Sequence, residues 1–395
     1  MTDLVRTLTA TDLEPAWAVL ERAFGGAPND ADRAVELGVV DPARFYVAEV
    51  DGELVATAGS FAFTMTVPGG PLPVAGVTWV GVLPTHRRKG LLNGLMTRQL
   101  ADLHDEGTSV AALWATEARI YGRYGYGTAS WRLQLRVQRG AAFHLPPEPG
   151  ELRLVEPGCE QVRATYARVA ARTAGWPLRD GPFWRVRLHD PEHARSGAGP
   201  LQCVATDGGY ALYAPAVQWA DGLPAGTVRV REVVAETTGA RARLWRFLLD
   251  LDLMKEVEVF GAATDEPLLH DLLVEPRVAQ AVLRDGLLVR LVDLPAALAA
   301  RRYAADVDVV LAVEDRHCPW NTGTWRLVGG RDGAACAPTS DEPDLVVRPV
   351  DLGAAYLGGT PLRSRGVVEL TPGALSRAST ALGPLEGAPS CPQVF

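Results

Sequence analysis

Residues 80–100 read VGVLPTHRRKGLLNGLMTRQL, and no other stretch limits the fold of this chain as much. A valine-rich strand stops at a proline, three cations follow (Arg87, Arg88, Lys89), and Gly90 opens a leucine-studded helix. Leu91, Leu92, Leu95, Met96, Leu100 and Leu103 fall on one broad face, the pattern of a helix laid against a sheet. Helix starts favour acids because the macrodipole leaves positive charge there. Three cations at that end are unfavourable unless an anion sits among them, and the free N–H groups of a first helical turn suit phosphate. The stretch predicts strand, phosphate loop and helix; a basic, solvated helix cap is the alternative.

The surrounding pattern is mixed α/β. A short strand is expected over 4–8, then a helix from Thr11 with a capping box closed by Glu14. RFYVAEV, ELVATAGSFAFTMTV and LPVAGVTWVGV read as strands joined at Asp51-Gly52 and Pro68-Gly69-Gly70. After the loop helix come a strand at 109–115, a short helix near 117–123 and a strand at 130–138, with HLPPEPGE as a linker. The middle third repeats this order, with VAETTGARARLW where the first has VLPTHRRKGLLN. It lacks the basic triplet and the glycine, so a duplicate there should not hold the same ligand. The last hundred residues alternate strands and short helices in another order.

Length and charge narrow the class. With 395 residues, two or three domains are expected. No apolar run approaches a membrane span, and the N-terminus lacks a signal-peptide pattern. The five cysteines are scattered without metal-ligand spacing, which points to reduced thiols in a cytoplasmic protein and to no metal. A formal charge of −8 argues against nucleic acid and for cationic ligands.

The first domain resembles the GNAT N-acetyltransferases. THRRKGLL, LWATEARIYGRYGYGTAS, CPWNTGTWRL, EPDL and YLGGTPL, in this order along the whole chain, resemble the Eis (enhanced intracellular survival) acetyltransferases. The resemblance implies an α+β chain: an active GNAT domain (1–143), a degenerate central GNAT domain (150–290) and a C-terminal sterol-carrier-like domain (291–395). It implies acetyl-CoA as co-substrate and cationic multi-amine acceptors, aminoglycosides or lysine-like compounds, acetylated by direct sequential transfer. It also implies a homohexamer without nucleic-acid or membrane partners. A protein lysine acetyltransferase, or a lipid-binding protein with a vestigial GNAT domain, are the alternatives.

Carried onto this chain, the splayed strand is Val80-Gly81-Val82. The pyrophosphate loop is Arg87, Arg88, Lys89, Gly90, Leu91, Leu92 and Asn93, with Leu92 where the family usually has a small residue. Thr116 and Glu117 follow where the family's strand end also touches the cofactor. The family's acid falls on Tyr121 and its base on the carboxylate of Phe395. An amine must lose a proton to attack a thioester, and a departing thiolate gains from a nearby O–H, so both roles are chemically reasonable. Phe24, Trp79, Trp114 and Trp184 are candidates for an aromatic amine pocket. Asp30, Asp32 and Glu36, in the 28–36 stretch, are candidate acids for a cationic acceptor.

Overall fold

The computed structural model describes residues 5–26 and 29–395; Leu4 of the expected first strand and Pro28 of the acidic stretch lie outside them. Two long strands, Glu53–Val67 and Gly70–Val82, form the hairpin around which the first sheet grows. Its turn needs backbone that side chains avoid: Gly69 and Gly70 have φ of 116° and 145°. The seven strands of this sheet run in the order Val5–Thr7, Phe45–Val50, Glu53–Val67, Gly70–Val82, Val110–Trp114, Leu287–Leu291, Gly127–Thr128. Helix Leu91–Asp105 buries Leu91, Leu95, Met96, Leu100 and Leu103, the apolar face expected from its spacing. Helix Leu13–Phe24 covers the sheet too. Its entry is capped two residues earlier than expected: the Asp12 carboxylate, not that of Glu14, accepts the Thr9 N–H (2.8 Å), and Glu14 faces Arg33 at 3.2 Å.

The second seven-stranded sheet runs Val282–Asp285, Trp131–Gln138, Met254–Ala262, Gly226–Ala235, Gly209–Ala216, Gln202–Thr206, Arg153–Val155. Each sheet therefore borrows a strand across the expected spans. Trp131–Gln138 leaves the first segment and pairs antiparallel with Met254–Ala262. Leu287–Leu291 returns from the middle segment and pairs antiparallel with Val110–Trp114. Leu287–Leu291 is buried at every position, which suits an interior strand; its one charge, Arg290, meets Asp315 at 2.5 Å.

The third unit is a five-stranded sheet of Ala334–Pro338, Gly323–Gly329, Val307–Val313, Leu345–Val346 and Val368–Glu369 with three short helices. From it residues 388–395 run back between the other two. Ser390 N donates to Ala174 O (3.1 Å), Trp176 Nε1 to Ser390 Oγ (3.0 Å), and Trp114 Nε1 to Gln393 O (2.8 Å). The fold class is the one expected: mixed α/β, with two GNAT domains and a sterol-carrier-like domain.

Candidate active site

Strands Gly70–Val82 and Val110–Trp114 pair in parallel only from Val74–Val77 against Val110–Leu113. Beyond that point the first stays on Glu53–Val67 and the second follows Leu287–Leu291. A bulge marks the parting. The ladder slips between Thr57 and Gly59, Trp79 takes φ 53°, and Thr57 Oγ1 donates to Trp79 O at 2.6 Å. One edge of Thr78–Val82 thus faces a gap without a strand partner, and that gap opens into two cavities.

The first cavity, about 600 Å³, is walled by Val80, Gly81 and Val82, by Arg87, Arg88, Gly90, Leu91, Leu92 and Asn93, and by Thr116, Glu117 and Tyr121. Here Arg88 (φ 62°) and Gly90 (φ 85°) bend the chain so that helix Leu91–Asp105 begins without a side-chain cap. Its first N–H groups are left for a ligand. Arg87 is already engaged: Nη2 donates to Ala23 O (2.9 Å) and Nε to Val82 O (3.3 Å), tying the loop to the end of helix Leu13–Phe24. Arg88 lines the cavity, whereas Lys89 is exposed outside its wall. Gly81 is buried, and a Cβ there would come within 3.2 Å of Ala23 Cβ.

The second cavity, about 540 Å³, is largely aromatic: Trp17, Phe24, Phe61, Trp79, Trp114, Phe183 and Phe260 line it, with Glu36, Arg132 and the segment Gln393–Phe395. Phe24, Val80, Thr116 and Tyr121 line both cavities. Of the three tyrosines in YGRYGYG, only Tyr121 stands at this junction: Tyr124 lines the first cavity alone and Tyr126 neither. Tyr121 sits in the single-turn helix Ala118–Gly122, and its burial pushes the phenol up to about 12. It therefore stays protonated at neutral pH and can donate. The hydroxyl of Tyr126 is buried without a partner among the described residues.

Trp184 is not brought to this site, contrary to expectation. It is 2% exposed in the core of the middle domain, with its ring 5.4 Å from that of Tyr166. Consecutive helical residues point about 100° apart, so helix Gly181–Leu188 turns Trp184 inward and gives the cavity Phe183. The ring of Phe183 lies 4.7 Å from that of Phe63 at a tilt of 51°, and Phe63 in turn meets the ring of Phe395 at 4.9 Å. Gly76 leaves room for both rings: a Cβ there would lie 2.2 Å from Phe63 Cε2 and 3.1 Å from Phe395 Cε2.

The candidate acids separate cleanly. Asp30 is exposed and pairs with Arg33 at 2.7 Å. Asp32 bridges His189 (2.7 Å) and His193 (2.8 Å), fastening helix Asp30–Leu37 to the middle domain. Burial opposes its ionisation, but the two histidines prevail and its pKa falls. Glu36, one turn on, lines the second cavity, and burial followed by the charge of Asp32 raises its pKa.

Sequence reading missed the group that holds the tail. Arg179 Nε donates to Gln393 Oε1 (2.9 Å), while Arg179 and Arg187 both grip Glu232 (2.9 Å each), which also accepts from Tyr210. Burial alone would raise Glu232, yet the two guanidiniums hold it down at about 2. No local pattern links residues so far apart in the chain. Among the described residues, no group of three or more His, Cys, Asp or Glu could hold a metal ion, and no helix is long and apolar enough to cross a membrane.

Residues 4–129 and 175–291 match two acetyltransferase (GNAT) domain families, and residues 294–392 a sterol carrier protein domain. An uncharacterized N-acetyltransferase of Streptomyces avermitilis is 42% identical over 96% of this chain and 97% of its own. The N-acetyltransferase Eis of Mycobacterium tuberculosis is 36% identical over 78% of this chain and 76% of its own. The crystal structure of Eis1 from Mycobacterium abscessus superposes with a TM-score of 0.86 at 35% identity, covering 99% of this chain and 100% of that one.

Proposed function

The chain belongs to the Eis-like GNAT N-acetyltransferases, and from that premise we propose that it moves acetyl from acetyl-CoA to amines of cationic, multi-amine acceptors by direct sequential transfer. GNAT enzymes use acetyl-CoA, which supplies an activated thioester. The observation that carries the proposal is Tyr121, placed where the loop-walled cavity meets the aromatic one at the mouth of the splayed strands.

In this reading the unpaired edge of Val80-Gly81-Val82 receives the pantetheine arm as an extra strand would. The N–H groups of residues 88–93 and the Arg88 guanidinium receive pyrophosphate. Arg87 holds the loop closed on helix Leu13–Phe24. Lys89 contributes charge from outside the wall, and Thr116 and Glu117 flank the arm. Tyr121 donates its proton to the departing thiolate. The Phe395 carboxylate takes the amine's proton, directly or through water. Phe24, Trp79 and Trp114 surround the acceptor, and Glu36 faces its ammonium charge. A cytoplasmic homohexamer is part of the same proposal, to be checked by light scattering.

The test is CoA release from acetyl-CoA across aminoglycosides, polyamines and lysine derivatives, with initial rates varied in both substrates. Intersecting double-reciprocal lines and an amine-dependent rate are expected. Parallel lines would replace direct transfer with a covalent enzyme intermediate.

A further inference from the structure

We propose that Arg132 is an anion receptor in the acceptor cavity, so that the preferred acceptor carries a carboxylate beside its amines: a lysine-like compound rather than a purely cationic one. The inference rests on the function proposed above and narrows its substrate class.

The second cavity is unusual for a cation-binding wall, because one of its lining residues is an arginine. Arg132 is held in place from behind. Its Nε donates to Asp285 O (3.0 Å) and its Nη1 to Phe260 O (3.3 Å). Its guanidinium carbon lies 4.2 Å from the centre of the Phe260 ring and 5.1 Å from that of Trp114. Two backbone carbonyls and two rings fix the plane, yet Nη2 has no acceptor among the described residues. No carboxylate lies within 4.0 Å of its nitrogens either, since the ion pairs of the described residues do not include it. The opposing charge that it feels is that of Asp285, and burial lowers its pKa.

A guanidinium with a planar fork, rigidly mounted and lacking its anion, is built to receive one. Trp114 joins this receptor to the tail, because the ring under Arg132 also donates from Nε1 to Gln393 O. A ligand carboxylate at Arg132 would therefore lie in the cavity that Tyr121 and Phe395 also line, while Glu36 offers a wall for a second ammonium. An aminoglycoside uses the acid and leaves the arginine unpaired; a lysine-like compound uses both.

The experiment compares kcat/KM for lysine and lysinamide in the parent enzyme and in Arg132→Gln. Lysinamide keeps both amines and replaces the carboxylate with a neutral amide. The parent should favour lysine by about 10- to 100-fold, the range of a charge-assisted hydrogen bond. Arg132→Gln should bring the two substrates to within about threefold of each other. Equal use of both by the parent overturns the inference, and needs no variant. So does Arg132→Gln if it slows both substrates alike, which would make Arg132 a support for Trp114 and the tail. If aminoglycosides are acetylated and neither lysine compound is, the inference falls and the proposed function stands. If no amine is acetylated and calorimetry detects no acetyl-CoA binding, the proposed function falls and the inference with it.

Discussion

The first and middle domains share one plan and put it to opposite uses. Each has a parallel strand pair that parts after a short ladder, a bulge in the neighbouring antiparallel pair, and a helix after the first parted strand. In the first domain the residues 83–90 separate strand from helix, and helix Leu91–Asp105 starts at Gly90 with φ 85° and no side-chain cap. In the middle domain only Glu236 and Thr237 intervene, and the Thr237 hydroxyl caps helix Thr238–Asp250 by accepting from Ala240 N at 3.2 Å. Where the first domain leaves donors free beside cations, the middle one satisfies its donors and places Glu236, paired with Arg168 at 2.7 Å. Beside its own bulge stands the buried Glu232 cluster, which grips Gln393 through Arg179. The difference teaches that one plan can leave a helix start open beside cations or close it with a single hydroxyl.

The strongest attempt to break that contrast is Gly90→Asp. It forces a side chain into left-handed backbone and sets a carboxylate where phosphate is to bind. Acetyl-CoA affinity should fall about 1,000-fold, the sum of a strained φ and a lost charge-assisted bond. Calorimetry should find one site per chain in the parent and none in the variant; a second site would mean that the middle domain binds after all. Thr237→Ala removes the middle domain's cap, costs about 1 kcal/mol of stability, and should create no site there, because the loop is too short.

Next in size is the tail. A polar extension after Phe395 converts its carboxylate to an amide, and activity should fall by a few hundred-fold while the melting temperature stays close to the parent's. Full activity of the extended protein would remove Phe395 from the chemistry and leave Glu36 as the acid lining that cavity. Tyr121→Phe should lower kcat about 100-fold and change acetyl-CoA affinity little. If instead Tyr124→Phe has that effect, the junction of the two cavities is not where protons move.

What was legible in the sequence was local. Strand, basic triplet, Gly90 and the leucine face lie between Val80 and Leu103, and their physics needs no distant partner. The Ile120–Arg123 motif is equally compact. Phe183 and Trp184 mark the edge of that legibility, since a single step along a helix decides which ring faces the cavity. The strand exchange was not legible, because Trp131–Gln138 reads as a strand without saying which sheet it joins. Nor was the tail anchor: Arg179 and Gln393 are 214 residues apart, and a hydrogen bond between them leaves no periodicity.

The smallest expected effect concerns the seam between the two domains, where Asp32 is clasped by His189 and His193 and Glu36 faces the cavity one turn later. Burial and the Asp32 charge raise the Glu36 pKa above its ordinary value, so folding favours the protonated form. A carboxylate raised in the folded state destabilises it progressively as pH climbs from the unfolded value, about 4.3, through the folded one. The penalty is full above the folded value and absent where both states are protonated. Glu36→Gln should therefore raise the melting temperature at pH 7, on the order of 2 °C, and leave it unchanged below about pH 4. The same change should raise KM for a diamine acceptor by removing the facing charge. A melting temperature that falls at pH 7 would mean that Glu36 is held as a paired carboxylate. The wall facing the amine would then be neutral overall, and the cationic preference would have to come from the aromatic rings alone.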